Sequence, residues 1–503
     1  MTTVPPGQPS RDDQTAQPSG VSAVVVLAAG GGTRMRSSRS KLLHEVGGRS
    51  MLSSALRAAA EVQPEHLVVV VGHARDQVEP HVAEVAPQAV TAVQEQQLGT
   101  GHAVLCGLAV LPPLEGEVLV TYGDVPLLTG ETLTDLVAEH RRAGNAVTVL
   151  TAEVDDPTGY GRVIRDAEGG VLRVVEHRDA DDTERAVREI NSGIYVFAAA
   201  TLTAGLGRLD SDNAQGELYL TDVLATARAD GGRVGALVTE DAWQTEGVND
   251  RVQLARLNAE LNRRTVERWM RAGVTVVDPA TTWIEADVDL GRDVLIHPGT
   301  ILAGATTVGE GAELGPDTRL RDCEVGAGAS LVRTEAHLAV VGAGATVGPW
   351  SYLRPGTQLG RGGKIGGFVE TKKAVIGEGS KVPHLSYVGD ATIGVGTNIG
   401  AGTIFANYDG RDKHRSEVGD DVFVGSGTVL VAPAALESGA YVAAGSTVTE
   451  PVQGSDLAVA RGRQRNVEGW ADRRRSRLAA ADGTAGASSG EGHIAGGDSR
   501  GGQ

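Results

Sequence analysis

The stretch VGAGATVGPWSY at residues 341–352 decides the fold of the second half of the chain. An aliphatic residue followed by glycine returns every six residues, and VGEGAELGPDTR at residues 308–319 keeps the same spacing. In a parallel β-helix built of hexapeptides, the aliphatic residue fills the axis and small residues form the tight corners. A flexible glycine-rich linker would not keep an aliphatic residue in register. The pattern therefore predicts a left-handed parallel β-helix over residues 273–470.

The composition agrees with such a coil and limits the partners of the protein. Glycine accounts for 69 of the 503 residues, whereas aromatic residues make up only 3%. The chain has 64 acidic and 46 basic residues, and its net charge of -18 argues against nucleic acid or an anionic membrane as the main partner. A phosphate-binding site must therefore be a local basic pocket.

The cysteines and the chain ends indicate the compartment. Cys106 and Cys323 are the only cysteines, so there is no disulfide framework and a reducing, cytoplasmic compartment is expected. Residues 1–20 are rich in Pro, Gln, Thr and Ser and lack an apolar core, which predicts a disordered extension and not a signal peptide. Residues 471–503 turn to Ala, Gly and Ser and are also expected to be disordered. No apolar run reaches about 18 residues, so no membrane span is expected.

The first half has a different periodicity. Short aliphatic runs, such as AVVVL at residues 23–27 and HLVVVV at residues 66–71, alternate with longer helical stretches. This alternation predicts an α/β domain over residues 21–249, with a mainly parallel, Rossmann-like sheet covered on both faces. Apolar residues at approximately helical spacing then predict a connecting helix over residues 250–272.

A glycine-rich loop follows the first predicted strand. Gly30, Gly31 and Gly32 allow backbone N–H groups to approach an anion, and Arg34 and Lys41 add charge where a polyphosphate would lie. The loop is neither a dinucleotide fingerprint nor a P-loop, and a glycine-rich turn after a strand is often only a turn. Alone, it leaves a phosphate site and a structural turn equally open.

The motifs around this loop resemble a known family. Residues 27–30 (LAAG) and 33–35 (TRM), with Lys41, are similar to the signature of sugar-1-phosphate nucleotidyltransferases. Together with the hexapeptides, further motifs make residues 21–470 resemble the bifunctional UDP-N-acetylglucosamine pyrophosphorylase and glucosamine-1-phosphate N-acetyltransferase family. In chain order these are Gln94, QLGTGHA at 97–103, YGDVPL at 122–127, GYGR at 159–162, Glu176, NSG at 191–193 and EGVN at 246–249.

The resemblance implies a uridylyl-transfer site in the first half. A sugar phosphate would attack the α-phosphorus of UTP, with Mg²⁺, Arg34 and Lys41 stabilising the pyrophosphate leaving group. Asp124 follows an apolar strand, at the sheet edge where ligands of open α/β folds bind, and with Asn249 it offers the oxygen ligands that Mg²⁺ prefers. A strand-end carboxylate also fits a helix cap. The implied nucleotide-sugar ligands are Leu27, Ala28, Ala29, Gly30, Lys41, Gln94, Gly99, Thr100, Tyr122, Gly123, Asp124, Gly161, Glu176, Asn191 and Asn249.

The resemblance also implies an acetyl-transfer site on the β-helix. His384 would deprotonate the amine of glucosamine 1-phosphate as it attacks acetyl-CoA, and Glu370 is a candidate to orient that histidine. A solvated surface pair remains an alternative for Lys372 and Lys373, as does a small corner residue for Ser426. The implied sugar-phosphate ligands are Arg354, Lys372, Tyr387, Asn398 and Lys413, and the implied acetyl-CoA or oxyanion ligands are Ala401, Asn407, Tyr408, Ser426, Ala444 and Arg461.

Three hypotheses follow. The first is a bifunctional enzyme that uses acetyl-CoA and UTP as co-substrates and makes UDP-N-acetylglucosamine, a cell-wall precursor. The second is a monofunctional sugar-1-phosphate nucleotidyltransferase with a structural or regulatory β-helix, which leaves His384, Asn407, Tyr408 and Arg461 unexplained. The third, a scaffold with a degenerate sensor domain, predicts the loss of Asp124 or Lys41, and both are present. By resemblance alone, a homotrimer is expected.

Overall fold

A computed structural model describes residues 21–486. The disorder expected for residues 1–20 and 487–503 lies outside the described residues. Residues 23–239 form a nine-stranded, mainly parallel sheet, and residues 275–458 form a parallel β-helix. Both parts of the predicted fold class are therefore confirmed.

The first sheet places a buried strand at its centre. Strand Ala23–Ala28 pairs in parallel with His66–Val71 on one side and with Glu117–Tyr122 on the other. Its alternate side chains enter two separate cores, Val24 and Val26 on one face and Val25 and Leu27 on the other. The sheet is therefore covered on both faces. The strand order is Val234–Thr239, Val147–Glu153, Glu189–Ala198, Glu117–Tyr122, Ala23–Ala28, His66–Val71 and Val90–Val93, with Gly161–Arg165 and Val171–Val175 attached beside Glu189–Ala198.

The long strand Glu189–Ala198 departs from the parallel pattern, because it is antiparallel to both of its neighbours. A small hairpin, Glu45–Val46 with Arg49–Ser50, lies outside the sheet. The covering helices are Met51–Glu61, Arg75–Val85, Thr100–Leu108, Gly130–Ala143, Asp182–Arg185, Ala199–Leu206 and Asp222–Ala229, with 3-10 turns at Thr33–Met35, Lys41–Leu43 and Ala242–Thr245.

The helix Arg251–Arg271 lies where the connecting helix was expected. The Asp250 side chain accepts hydrogen bonds from the backbone N–H groups of Val252 and Gln253, which satisfies free donors at the helix start. Farther along, the Asn262 side chain donates to the Thr282 carbonyl and accepts from the Ile284 N–H, both at 2.9 Å. The helix thereby joins the first domain to the first coil.

The hexapeptide spacing sets the register of the β-helix. Ile284 pairs with Leu302 and Leu302 pairs with Leu320, so that the first coils take three hexapeptides each. Later coils depart from this length, since Leu320 pairs with Ala336 on a shorter coil and Ile393 pairs with Val418 on a longer one. These side chains are buried in one continuous aliphatic core.

The coil strands form two ladders of parallel pairs. The first contains Thr275–Val276, Leu295–Ile296, Glu313–Leu314, Ser330–Leu331, Thr346–Val347, Lys364–Gly367, Lys381–His384, Asn398–Ile399, Phe423–Val424, Tyr441–Val442 and Leu457–Ala458. The second, which turns a corner within each coil, contains Trp283–Ile284, Asp289–Leu290, Ile301–Ala303, Thr307–Val308, Arg319–Arg321, Glu324–Val325, Thr334–His337, Val340–Val341, Ser351–Leu353, Gln358–Leu359, Glu370–Ile376, Tyr387–Ile393, Ile404–Ala406, Ser416–Val418, Val429–Val431, Ala435–Leu436 and Thr447–Val448.

We expect Leu320→Ala to destabilise the coil by about 2–5 kcal/mol, because Leu320 is fully buried and its neighbours cannot close the cavity. Ile301→Ala is a matched control, since Ile301 lies on the adjacent coil with 36% of its surface exposed. Chemical unfolding followed by circular dichroism would measure both changes. Equal losses for the two variants would contradict an axial core.

The C-terminal segment differs from the sequence prediction. Disorder was predicted from residue 471, but the structure has a helix over Trp470–Gly486. The segment is rich in Arg and Ala, which favour helix locally, although its described side chains through residue 481 are all exposed. The prediction judged only whether the segment could bury surface, and local helix propensity does not depend on burial. Within residues 21–486, none of the helices is long and apolar enough to cross a bilayer.

Candidate functional sites

The glycine-rich loop brings Lys41 over the end of the first strand. Gly32 has φ 55°, and a Cβ added there would lie 2.6 Å from Lys41 Cβ. A side chain at Gly32 would therefore displace the lysine. Lys41 opens the short 3-10 turn Lys41–Leu43, which fixes its backbone beside the loop.

The two predicted metal ligands lie side by side, and each is paired with a cation. The backbone N–H of Val248 donates to the Asp124 carbonyl at 3.0 Å, which places Asn249 next to the strand end. Lys41 Nζ forms an ion pair with Asp124 Oδ2. Arg34 Nη2 donates to Asn249 Oδ1 at 2.9 Å. The site therefore joins two oxygen donors to the two basic residues that the motif predicted.

The structure argues against the helix-cap interpretation of Asp124. The next helix, Gly130–Ala143, is capped by Thr129, whose hydroxyl accepts from the Thr132 N–H at 3.2 Å. Asp124 instead lies on the wall of a cleft of about 270 Å³. Gly123 adjoins this cleft, since its N–H donates to the Leu27 carbonyl at 3.0 Å. Of the predicted ligands, the cleft wall contains Leu27, Ala28, Ala29, Gly30, Lys41, Gln94, Gly99, Thr100, Tyr122 and Asp124.

Four further residues on the cleft wall were absent from the predicted ligand set: the apolar Leu42 and Ala103, and the polar Gln97 and Glu217. Gln97 Nε2 donates to the Ala29 carbonyl at 2.6 Å and thereby holds the glycine-rich loop from the opposite side. Glu217 also lines the cleft. A hydrogen bond between distant parts of the chain places Glu217 there, because the N–H of the next residue, Leu218, donates to the Leu98 carbonyl at 2.8 Å. The quoted QLGTGHA motif contained Gln97, but no local pattern marks Glu217.

Gly161, Glu176 and Asn191, the predicted sugar ligands, converge. A Cβ added at Gly161 would lie 3.4 Å from Asn191 Cβ and 3.5 Å from Glu176 Oε1. The Tyr195 hydroxyl donates to Asn191 Oδ1 at 2.8 Å and orients that amide. Burial, together with the nearby Asp179 and further carboxylates, raises the pKa of Glu176. This partly buried carboxylate can accept hydrogen bonds from sugar hydroxyl groups.

Gly99 meets its neighbours so closely that only glycine fits. Its φ is 106°, and an added Cβ would lie 2.7 Å from the Leu218 carbonyl oxygen and 2.8 Å from the Leu218 nitrogen. We expect Gly99→Ala to lower kcat/KM for UTP roughly tenfold or more and to cost about 1–3 kcal/mol of stability. Gly207→Ala is the control, because Gly207 has φ -69° and room for a methyl group. An unchanged kcat/KM for UTP in Gly99→Ala would contradict the assignment of Gly99 to the wall of the nucleotide site.

On the β-helix, a cluster of charged and polar side chains surrounds Lys372. Lys372 Nζ lies 3.5 Å from Asp390 Oδ2, and Asn407 Nδ2 donates to the same oxygen at 2.5 Å. The Tyr387 hydroxyl is 3.5 Å from Asn407 Nδ2. The adjacent Lys372 ammonium lowers the pKa of Lys413. Two neighbouring cations of this kind favour a phosphate between them. The predicted surface pair is therefore divided, because Lys372 joins the cluster whereas Lys373 is exposed.

Glu370 does not orient His384, contrary to the sequence interpretation. Arg354 Nη1 donates to Glu370 Oε1 at 2.9 Å, so that the carboxylate belongs to the basic cluster. The sequence does not show that Arg354, one coil away, lies beside Glu370. His384 is exposed at the end of strand Lys381–His384, beside a cleft of about 490 Å³ that also contains Lys364 and Phe368.

Four predicted acetyl-CoA ligands form a column that runs down one edge of the coil from His384. The His384 carbonyl accepts from the N–H of Gly402, the residue after Ala401, at 3.0 Å. The Ala401 carbonyl accepts from the N–H of the residue after Ser426 at 2.7 Å, and the Ser426 carbonyl accepts from the residue after Ala444 at 2.8 Å. Arg461 Nη1 donates to the Ala444 carbonyl at 3.0 Å. Ser426 is therefore a corner residue, as the alternative held, and it also lies in the column.

The remaining predicted residues of the acetyl-transfer site lie on two different faces of the β-helix. Asn407 and Tyr408 begin an extruded loop that closes through a bridge between Tyr408 and Lys413. Asn398 lies on the other ladder, next to Lys381 and Phe423 in register, and the structure does not bring it into the Lys372 cluster.

Comparison with known proteins agrees with both halves. The family model for the MobA-like NTP transferase domain matches residues 24–218. The bifunctional protein GlmU of Corynebacterium efficiens is 56% identical over 93% of this chain and 97% of its own length. The protein of the same name in Streptomyces avermitilis is 58% identical over 91% of this chain and 96% of its own length.

Among solved structures, UDP-glucose pyrophosphorylase complexed with UDP-glucose matches 48% of this chain and 99% of that chain, at 17% identity and a TM-score of 0.40, a value too low to support a conclusion. The two curated relatives, by contrast, extend through the sheet, the connecting helix and the coil. The chain therefore belongs to the bifunctional GlmU family.

Proposed function

We propose that the chain makes UDP-N-acetylglucosamine in two steps at two separate sites. The β-helix acetylates glucosamine 1-phosphate with acetyl-CoA, and the first domain then transfers UMP from UTP to the N-acetylglucosamine 1-phosphate. The observation that carries the proposal is the basic cluster of Arg354, Lys372 and Lys413 on the same β-helix as the exposed His384, because a purely structural coil requires neither a base nor a basic cluster. The monofunctional alternative leaves both unexplained.

In the uridylyl step, the chain binds, orients and neutralises charge. Gly99 and Gln94 hold the base, and Glu176 and Asn191 hold the sugar hydroxyl groups. The sugar phosphate oxygen attacks the α-phosphorus of UTP and the bond to the β-phosphate oxygen breaks. Arg34 and Lys41 stabilise the negative charge that develops on the pyrophosphate. No protein nucleophile is needed.

The residues present fit a bound Mg²⁺. Asp124 and Asn249 supply two neighbouring oxygen donors, and phosphate and water oxygens would complete the six ligands that Mg²⁺ prefers. Among residues 21–486, no three His, Cys, Asp or Glu side chains come together as a metal site, which agrees with a metal shared with the substrate. When bound, the metal would neutralise phosphate charge. Lys41 and Arg34 would then turn from Asp124 and Asn249 toward the phosphates.

In the acetyl step, His384 acts as the general base. The amine nitrogen attacks the thioester carbonyl carbon, the C–S bond breaks, and the amine proton passes to the imidazole. Arg354, Lys372 and Lys413 hold the sugar phosphate. Acetyl-CoA lies along the column formed by Ala401, Ser426, Ala444 and Arg461, and Asn407 and Tyr408 contribute from the extruded loop beside the Lys372 cluster.

The resemblance implies a homotrimer, and the division of the ligands supports a site shared between copies. His384 and Asn398 belong to one ladder, whereas Lys372 and Tyr387 belong to the other and Arg354 directly follows one of its strands. A neighbouring copy that packs against one face would bring Asn398 to a site on the next chain and complete it. Light scattering of the purified protein should give three times the mass of the chain, and a monomer with full acetyl-transfer activity would contradict this assignment.

One assay separates the two functional hypotheses. Protein supplied with glucosamine 1-phosphate, acetyl-CoA, UTP and Mg²⁺ should release both free thiol and pyrophosphate. Release of pyrophosphate from N-acetylglucosamine 1-phosphate without any thiol release would leave only the monofunctional enzyme. Chelation of Mg²⁺ should abolish pyrophosphate release and leave thiol release unchanged, because the acetyl step uses no metal.

A further inference from the structure

The side-chain amide of Gln94 is held in one orientation at the wall of the nucleotide cleft. Gln94 is only 5% exposed. Its Nε2 donates to the Gly99 carbonyl at 3.1 Å and contacts His102 Nδ1, also at 3.1 Å. Both N–H groups of the amide are therefore directed into the protein, and the remaining polar atom, Oε1, is left for the cleft. Within residues 21–486, no donor lies within hydrogen-bonding distance of that oxygen.

His102 fits this arrangement in only one neutral form. To accept from Gln94, Nδ1 must carry a lone pair, and the proton must then lie on Nε2. On that side, Cys106 Sγ lies 3.8 Å from Nε2 and can serve as a weak acceptor. The Cys106 thiol is therefore placed to accept from the His102 tautomer that the Gln94 amide requires.

We propose that His102 is a positioning residue that fixes the Gln94 amide with Oε1 toward the base, and that it thereby selects uracil over cytosine. The inference rests on the proposed uridylyl transfer and deepens it. His102 touches neither the nucleotide nor the reacting atoms in this assignment. It acts through Gln94.

The selectivity follows from the hydrogen-bonding edges of the two pyrimidines. Uracil carries an N–H donor at N3, which an amide oxygen accepts, whereas cytosine carries a lone pair at N3, which the same oxygen repels. A reversed amide would donate to cytosine, but its oxygen would then face the Gly99 carbonyl and His102 Nδ1, two acceptors. Because the Gly99 carbonyl is backbone, it contributes to the fixed orientation whatever residue stands at position 102, and His102 supplies the part that a substitution can remove.

The test compares two substitutions of similar size. His102→Leu removes the acceptor, whereas His102→Asn can place an amide oxygen near the position of Nδ1. Pyrophosphate release from UTP and from CTP, each with N-acetylglucosamine 1-phosphate, gives the ratio of the two kcat/KM values. We expect this ratio to fall about tenfold in His102→Leu, the effect of losing one buried hydrogen bond, and to stay within about threefold of the unsubstituted protein in His102→Asn.

Two results would overturn the proposal. One is an unchanged UTP-to-CTP ratio in His102→Leu, and the other is an equal fall in both variants, which would indicate packing alone. Thermal unfolding followed by circular dichroism reports folding in each preparation, and calorimetric binding of UDP and CDP to His102→Ala gives the same comparison if the Leu variant does not fold. If the unsubstituted protein released no pyrophosphate from UTP, the proposed function itself would fail. An unchanged UTP-to-CTP ratio in an active protein would overturn only the role of His102.

Discussion

His384→Ala should lower the rate of acetyl transfer by about 10²–10⁴-fold, the usual contribution of a general base. The imidazole is exposed at the head of the proposed acetyl-CoA column, and the amine cannot lose its proton to the thioester itself. The released thiol, followed with a chromogenic disulfide, measures the loss. Pyrophosphate release from N-acetylglucosamine 1-phosphate should stay unchanged, because the nucleotide site lies in the other domain.

A second coil histidine provides the control for this prediction. His337 lies on the same β-helix, with Nε2 3.7 Å from Asp322 Oδ2, and it belongs to neither proposed site. His337→Ala should keep full acetyl transfer. Full activity in His384→Ala would remove the assigned base, whereas an equal loss in both variants would indicate damage to the coil.

Asp124→Ala should lower the rate of pyrophosphate release by at least about a hundredfold, because it removes the proposed oxygen ligand of the metal and the ion-pair partner of Lys41. Thiol release should remain. A coupled assay for pyrophosphate with saturating UTP and Mg²⁺ would measure the loss, and a titration with Mg²⁺ would test whether the affinity for the metal falls with it.

Asp135→Ala is the matched control for this second prediction. Asp135 is exposed on helix Gly130–Ala143 in the same domain. This variant should keep both activities. Loss of thiol release in Asp124→Ala would contradict the separation of the two sites, and normal pyrophosphate release would contradict the metal assignment.

The fold was predictable because its determinants are local and repeated. The spacing of aliphatic residues and glycine predicted the coil, and the pairing of Ile284 with Leu302 confirms it. Strand Ala23–Ala28 was apparent as an uninterrupted aliphatic run, since both of its faces are buried. The helix Trp470–Gly486 was missed because its composition was judged for burial and not for local helix propensity.

The sites were predictable only in part, because contacts between distant residues carry much of their geometry. The family motifs identified Asp124 and Lys41, and the structure pairs them. Glu217 enters the nucleotide cleft through the contact of Leu218 with Leu98, which no sequence window contains. Glu370 was a candidate to orient His384, but it accepts a hydrogen bond from Arg354 on the neighbouring coil. Such contacts between coils depend on the register of the β-helix, which the motifs do not specify.

The helix Arg251–Arg271 limits where the protein can be cut into its two domains. At 21 residues it spans about 30 Å, and it starts immediately after Asn249 and Asp250. Asn258 accepts from the Gly47 N–H at 2.8 Å on the nucleotide side, while Asn262 is bonded to the first coil. A truncated protein that contains only the uridylyltransferase domain should therefore keep the whole of this helix. A cut within the helix would loosen the segment that holds Asn249.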